Sequence, residues 1–363
     1  MEHQFDLGGR RLRKWLKILL RIILTLAVLF CAFLIYISIT DYKPENVVVV
    51  DVQRNQESQL ASDQMFSITT FNLGYGGLDK AEHFFMDGGS NSRASSKEKV
   101  EENMLAIGDF LKTAASDFYF LQEVDLDSTR SFHVNEEAYL MDRLPKYSST
   151  FAQNYLVKWV PVPVTKPHGS VNSGLVTLAK YQIGESKRFA LKGEESWPRQ
   201  LFDLDRCMLE QRIPISNGKE LVLINAHLSA YDKGGKVRKQ QLGFIDEYLS
   251  EEYKKGNYII IGGDWNHSIP TTDPNRFPTN EAWPDWLQMI PEDFLSNGFQ
   301  WVADETVPTS RTIAKSYVEG ENFLSIIDGF LISDNIELVE VKGHSLGFEH
   351  SDHNPVTAKF KLK

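Results

Sequence analysis

The sequence predicts an α/β sandwich carried behind a single membrane-spanning helix. Three observations lead there. Short β-branched or aromatic runs alternate with helix-spaced apolar residues, several of those runs end in Asn, Asp, Glu or His, and one long uncharged stretch precedes them all. A chain of 363 residues with 42% hydrophobic and 24% charged residues is not disordered, collagen-like or a small disulfide scaffold. Its two cysteines are Cys31 and Cys207. Cys31 falls in the apolar stretch, so the remainder holds one thiol and forms no internal disulfide.

The apolar stretch comes first. Ile22 to Ile39 is an 18-residue run without a charge, and at 1.5 Å per residue it spans about 27 Å as a helix, enough to cross a bilayer. Arg10, Arg11, Arg13, Lys14, Lys17 and Arg21 stand at its amino-terminal end, with Trp15 and Tyr36 near the two interfaces. The run exceeds a signal-peptide core and lacks a small-x-small cleavage site before Asp41, which marks an uncleaved anchor. The positive-inside rule places the basic end in the cytoplasm and everything after Asp41 outside. The expected organisation is a basic stub over 1–17, a transmembrane helix over 18–40, a polar linker over 41–64 that contains Pro44, and one domain over 65–363.

Charge divides along the same boundary. The formal net charge is -10, but the first 40 residues carry six basic side chains against Glu2 and Asp6, which leaves 33 basic and 47 acidic residues, net -14, on the body. Such a body is a poor non-specific binder of nucleic acid, whose affinity comes largely from cations displacing counterions at phosphates.

Within the body, strands are predicted at Phe66 to Phe71, Phe118 to Leu121, Leu175 to Leu178, Leu221 to Asn225, Tyr258 to Ile261, Ile327 to Ile332 and Val356 to Leu362. Val100, Met104, Ile107 and Leu111 predict a helix behind the caps Ser95 and Ser96, and Val237, Leu242, Ile245 and Leu249 predict a second. Asn72 and Glu123 follow two of the strands, and Asn225 and His227 end a third. Asp264 and Asn266, in Gly262-Gly263-Asp264-Trp265-Asn266, share one face of an extended segment. Asp328 is embedded in an apolar strand, costly without a partner. Ser351-Asp352-His353-Asn354-Pro355 is the last element, while His344 and His350 read as structural and Arg238 as a solvated helix charge. Each residue alone has a structural explanation. Together they form a set of hard oxygen donors with Asp and His acid-base partners, suited to a magnesium-type site that gains ligands from a phosphate.

The order Asn72, Glu123, His227, Asp264-x-Asn266, Asp328, Ser351-Asp352-His353 resembles the endonuclease/exonuclease/phosphatase superfamily, of deoxyribonuclease-like and neutral-sphingomyelinase-like members, over about Met65 to Lys363. The resemblance implies a four-layer αββα sandwich acting as a metal-dependent phosphoester hydrolase. It implies Mg²⁺, with Mn²⁺ as an alternative, held by Glu123, Asn72 and Asp352. It further implies that Asp264 and Asn266 position the attacking water, that Asp328 orients His353 as general base or phosphate-stabilising cation, and that His227 donates to a phosphoryl or leaving oxygen. Whether Asp264 or His353 takes the proton stays open at this level.

Departures from the pattern bear on substrate. Repair endonucleases of this family place an acid two positions beyond the first Asn, where this chain has Gly74, and Asp328 is followed by Gly329. Two inserts, Gly74 to Ser96 and Tyr155 to His168, carry aromatics that either pack as loops or face a substrate. The expected partners are a phosphoester (phospholipid head group, small phosphate ester or nucleic acid) and the bilayer, with no protein partner. An extracellular endonuclease acting on DNA or RNA and a catalytically inactive membrane-tethered binding module are the alternatives. Asn266-His267-Ser268 matches a glycosylation acceptor at the expected site, which suits a bacterial surface better than a eukaryotic secretory route.

Overall fold

In the computed structural model, which describes residues 2–232, 234–295 and 297–363, the apolar stretch is part of one helix, α1 (Glu2–Thr40). Arg11–Thr40 is long and apolar enough to cross a membrane. Thr40 closes it by donating its hydroxyl to the Tyr36 carbonyl at 2.9 Å.

The chain then forms β1 (Val47–Val49), β2 (Met65–Asn72), α2 (Lys97–Ala114), β3 (Phe118–Asp125), α3 (Glu136–Arg143), β4 (Ser148–Val160), β5 (Gly169–Ala179) and β6 (Glu185–Ala190). β7 (Cys207–Pro214), β8 (Glu220–His227), α4 (Lys236–Lys254) and β9 (Tyr258–Asp264) follow. Two short pairs, β10 (His267–Ser268) with β11 (Gln288–Met289) and β13 (Ser310–Arg311) with β14 (Leu324–Ser325), lie either side of β12 (Phe299–Val302) in the chain. β15 (Asp328–Ser333), β16 (Ile336–Gly343) and β17 (Val356–Leu362) complete it.

Thirteen of these strands make two sheets, ordered β1-β6-β7-β8-β9-β15-β12 and β16-β17-β2-β3-β5-β4. The period of two explains the layering. Phe66, Ile68, Phe118 and Phe120 of one sheet meet Leu221, Leu223, Tyr258, Ile260 and Phe330 of the other in the central core. The intervening residues face outward: Phe71, Tyr119 and Leu121 pack under α2 and α3, and Val222, Ile224, Ile259 and Ile261 pack under α4. Because both faces of each sheet are covered, the central strands read as continuous apolar runs, and the molecule is an αββα sandwich. Ser96 caps α2 as expected, its hydroxyl accepting from Lys99 N at 3.2 Å.

Only β2 with β3 and β8 with β9 pair in parallel within the two sheets. Each pair is joined through a helix, so each sheet contains one β-α-β crossover whose two strands run the same way. Asn72, His227 and Asp264 are therefore strand-terminal residues at one edge of the sandwich, with Glu123 near the end of β3.

Three expectations need correction. The segment 41–64, read as a linker, is packed on the body: β1 pairs with β6, Gln53 bridges Ser149, and Leu60 is fully buried in the central core. Its polar residues are those of an edge segment with one side in water. β4, which covers part of the insert read at Tyr155 to His168, is a 13-residue strand whose Ser, Thr, Gln and Asn side chains hid its period. Arg238 is buried, not solvated, and donates to the carbonyls of Asn266 at 3.1 Å, Trp286 at 2.6 Å and Asp232 at 3.2 Å.

Gly263 illustrates how tightly the strand ends are built. Its φ is +138°, and a Cβ there would collide with the Ala226 carbonyl oxygen across the β8–β9 pair. Gly263→Ala is expected to destabilise the fold by at least about 3 kcal/mol. A urea midpoint equal to that of the wild type would contradict this packing.

Candidate active site

Local backbone geometry brings Glu123, His227, Asp264, Asn266, Asp352 and His353 to one cleft, with Asn72 and Asp328 hydrogen-bonded to this group from behind. Asn72, His227 and Asp264 are the last residues of β2, β8 and β9, and Asp328 opens β15 directly opposite Asp264. Glu123 sits at an irregularity in the β3–β5 register with φ +53°, so the bulge turns its side chain out of the sheet. Asn266 also has a positive φ, +49°, and its amide donates to the Leu228 carbonyl at 2.8 Å, holding the turn after β9. Ser351 anchors the Ser-Asp-His segment by donating to the Asn72 carbonyl at 2.8 Å.

Asp264 is the hub. Its Oδ1 accepts from Asn266 N at 2.9 Å, and its Oδ2 accepts from Asn72 Nδ2 at 3.0 Å, with His227 Nε2 at 3.4 Å and His353 Nε2 at 3.7 Å. Behind His353, Nδ1 donates to Asp328 Oδ2 at 2.8 Å. Burial lifts the Asp264 carboxyl to about 7, with Asp328 adding to the shift and His353 opposing it. Burial disfavours the His353 imidazolium, but Asp328 and Asp264 outweigh it and push its pKa up to about 10. His227, equally buried and near Arg206, is held well below its ordinary value and stays neutral.

The donor set suits a hard divalent cation. Glu123 and Asp352 line the cavity beside Asn72, which donates to Glu123 Oε1 at 3.3 Å. Burial lifts Asp352 to about 6, His353 pulls it down and the Glu123 charge pushes it up, as expected of two carboxylates sharing one cavity. Asp264, Asp328 and His353 also bring three ligand-type atoms within 4.8 Å of one another. The same three side chains form a line, with His353 between the Asp328 and Asp264 carboxylates.

Gly74 closes the Asn72 turn with φ +53°, and a Cβ there would stand 2.7 Å from Asp352 Oδ1. The acid found two positions beyond the first Asn in repair endonucleases has no room here.

The cavity measures about 910 Å³ and includes groups that sequence reasoning missed. Arg130 donates to Asp125 through Nε at 3.0 Å and Nη2 at 2.8 Å, lies 4.1 Å over the Tyr75 ring, and holds Nη1 4.0 Å from Glu123 Oε2. It orients Glu123 from behind. Arg206 places Nη1 3.5 Å from the His227 carbonyl oxygen and lines the cleft. Neither belongs to a motif, and no spacing in the sequence distinguishes them from surface arginines. Asn225, an expected strand-end ligand type, instead ties the sheets together: it accepts from Gln122 at 2.7 Å and donates to the Leu121 and Val176 carbonyls.

The insert ending at His168 has a packed end. His168 is buried against Tyr75, Phe84 and Phe85, its Nδ1 on the Ser92 carbonyl, and burial lowers its pKa to about 3. The unfolded chain binds this proton from about pH 6.5 downward and the folded chain does not, so stability falls as pH drops through 6.5 toward 3. The expected loss is about 1.4 kcal/mol per pH unit for this group. Urea midpoints at pH 7 and pH 5 should differ less in His168→Asn than in the wild type; equal differences would rule the group out.

The profile of the Endonuclease/Exonuclease/phosphatase family matches residues 69–353. No curated protein matches in sequence. Among solved structures, the endonuclease/exonuclease/phosphatase from Beutenbergia cavernae DSM 12333 is similar with a TM-score of 0.58 at 16% identity, over 82% of this chain and 72% of that one. The human Nocturnin catalytic domain with bound sulfate anion gives 0.53 at 15% identity, over 86% and 98%. D. rerio TDP2 complexed with single strand DNA product gives 0.52 at 15% identity, over 83% and 100%. At such identities the likeness is one of fold.

Proposed function

The chain belongs to the endonuclease/exonuclease/phosphatase family, and from that premise we propose that it is a metal-dependent phosphoester hydrolase whose catalytic domain lies outside the cytoplasm. One observation carries the chemistry: the buried relay Asp328–His353–Asp264, with Asn266 N on the outer oxygen of Asp264.

The charge states divide the labour. His353 is an imidazolium between two carboxylates and has no lone pair to offer, so Asp264 takes the proton of a water that it and Asn266 hold. The water oxygen forms the new bond to phosphorus, the bond from phosphorus to the leaving oxygen breaks, and that oxygen departs with a proton from the medium or a neighbouring donor. His353 and neutral His227 supply N–H donors to the phosphoryl oxygens as negative charge builds on them. Glu123, Asp352 and Asn72 would hold Mg²⁺ or Mn²⁺, which when bound supplies Lewis-acid polarisation of those oxygens. Arg130 acts as a positioning residue through Glu123.

The basic residues before the apolar run and the length of α1 support a topology with the amino terminus in the cytoplasm and α1 across the membrane. The test is hydrolysis of bis(p-nitrophenyl) phosphate and p-nitrophenyl phosphate by the purified full chain with Mg²⁺. Nitrophenolate release that stops in excess chelator is expected. No release from either ester, or release that persists in chelator, would overturn the proposal.

A further inference from the structure

We infer that the substrate is a phospholipid of the membrane that holds α1, with its phosphoester drawn into the cleft from the head-group layer. The inference deepens the phosphoester-hydrolase reading above and rests on it.

The end of α1 is fixed to the rim of the cleft. Phe33 stacks on Phe202 with ring centroids 6.1 Å apart, and Ile37 is buried. Leu34, Ile35, Ser38 and Ile39 form a shallow apolar recess with Trp197 of the body. Phe202 in turn packs on the cluster formed by Tyr155, Val157, Val160 and Val171 at the outer end of β4 and β5. The helix therefore does not dangle from a flexible stalk; its last two turns dock on the domain.

The chain leaving α1 is itself a wall of the cavity. Asp41, Tyr42, Lys43, Pro44 and Asn46 line the same space as Glu123, His227, Asp264 and His353. Six residues reach at most about 20 Å when extended, and the first of them is one residue beyond the helix. Docking of the last two turns brings Phe202 and Trp197 to the boundary of the hydrocarbon core, and Asp41 to Lys43 then lie in the head-group layer, which is roughly 5 to 8 Å deep on each side. Lipid phosphates occupy that layer.

Exposed apolar side chains mark the same rim. In the connection between β4 and β5, Val162 lines the cavity and Val164 is 86% exposed, with Trp159 40% exposed just before them. Trp197 is 59% exposed beside α1. A bilayer surface accounts for exposed Trp and Val side chains beside the cavity and beside α1. Trp suits that position in particular, with an apolar ring and one N–H. The body's net charge of -14 opposes a polyanionic substrate such as nucleic acid, whereas a lipid already in the membrane needs no electrostatic capture.

The test reconstitutes the full chain in vesicles of phosphatidylethanolamine, phosphatidylglycerol and sphingomyelin with Mg²⁺. Head-group or phosphate release is followed by mass spectrometry, and bis(p-nitrophenyl) phosphate and single-stranded DNA are offered in parallel. At least one lipid is expected to turn over ten times faster than either soluble substrate. The double variant Val164→Asp, Trp197→Asp should lower the lipid rate about tenfold and keep the rate on the soluble diester within twofold. Hydrolysis of the soluble diester or of DNA with all three lipids intact would overturn the lipid inference and leave the hydrolase reading standing. Equal losses on lipid and soluble diester in the double variant would overturn the membrane-facing rim. No hydrolysis of any substrate would remove both.

Discussion

Asp264→Asn is expected to lower turnover by about 10³-fold, within the range that a positioned general base contributes, without unfolding the protein. The substitution keeps the shape of the side chain and changes two things. It removes the group that accepts the proton of the attacking water, and it sets a neutral amide opposite Asn72 Nδ2, which now donates to Asp264 Oδ2 at 3.0 Å. One amide oxygen can still accept from Asn266 N, now at 2.9 Å, so the turn after β9 keeps its anchor. His353 loses one of the two carboxylates that raise its pKa and keeps Asp328 at 2.8 Å, so it remains in place as a donor. A stability loss should therefore be small beside the catalytic one. kcat on bis(p-nitrophenyl) phosphate, read with near-ultraviolet circular dichroism and a urea melt, separates the two. A variant within tenfold of wild type would remove Asp264 from the proton transfer. The double variant with His353→Ala should cost far less than the product of the single losses, because the two groups act as one unit.

How much of this was legible in the chain depends on the range over which each feature is specified. Strand-terminal motifs are local: Gly-Asp-x-Asn and Ser-Asp-His carry both their residue types and their extended context within five positions, so Asp264, Asn266 and His353 were found with their strands. The central strands were equally legible, since burial on both faces leaves unbroken apolar runs at Phe118 to Leu121 and Tyr258 to Ile261. What escaped is specified across the fold. Arg238 gains its role only when α4 brings it under the Asn266 turn, and Arg130 only when the β3 bulge turns Glu123 toward it. β1 and β4 are edge strands: β1 is only three valines, too short to show a period, and β4 carries the polar side chains that an edge tolerates, which dilute its period. Asn225 failed in the opposite sense. The type and strand position of a ligand are also those of a buried amide that satisfies two carbonyls between sheets.

The two β-α-β crossovers explain why one edge of the sandwich became the site. Parallel strands joined by a crossover end at the same edge, and the loops that follow them must lie there. With β2–β3 in one sheet and β8–β9 in the other, four loops converge from two sides on one cleft, and β15 enters antiparallel beside β9 to place Asp328 opposite Asp264. Docking of α1 then fixes the end of the apolar helix beside that cleft.

Glu123→Gln should weaken divalent-cation binding by at least about 100-fold, beyond the 10- to 100-fold typical of losing an orienting partner. Glutamine preserves the volume and can turn its oxygen toward Asn72 Nδ2 and its amide nitrogen away, so the bulge need not move. What disappears is one of the two carboxylate charges proposed to hold the cation. Removing the Glu123 charge also lowers the Asp352 pKa, because Glu123 is among the groups that push it up. Asp352 thus stays ionised, and the residual affinity of the variant belongs to Asp352 with Asn72. Calorimetric titration with Mg²⁺ and Mn²⁺ reads this without turnover, and the metal dependence of diester hydrolysis reads it with turnover. The two should shift together. An unchanged calorimetric affinity would move the cation off Glu123. Arg130→Lys tests the support from behind: a lysine cannot keep the bidentate contact with Asp125 and reach Glu123 as well, so it should weaken the cation by a smaller factor, about tenfold. A larger loss in Arg130→Lys than in Glu123→Gln would make the guanidinium, not the carboxylate, the group on which the site depends.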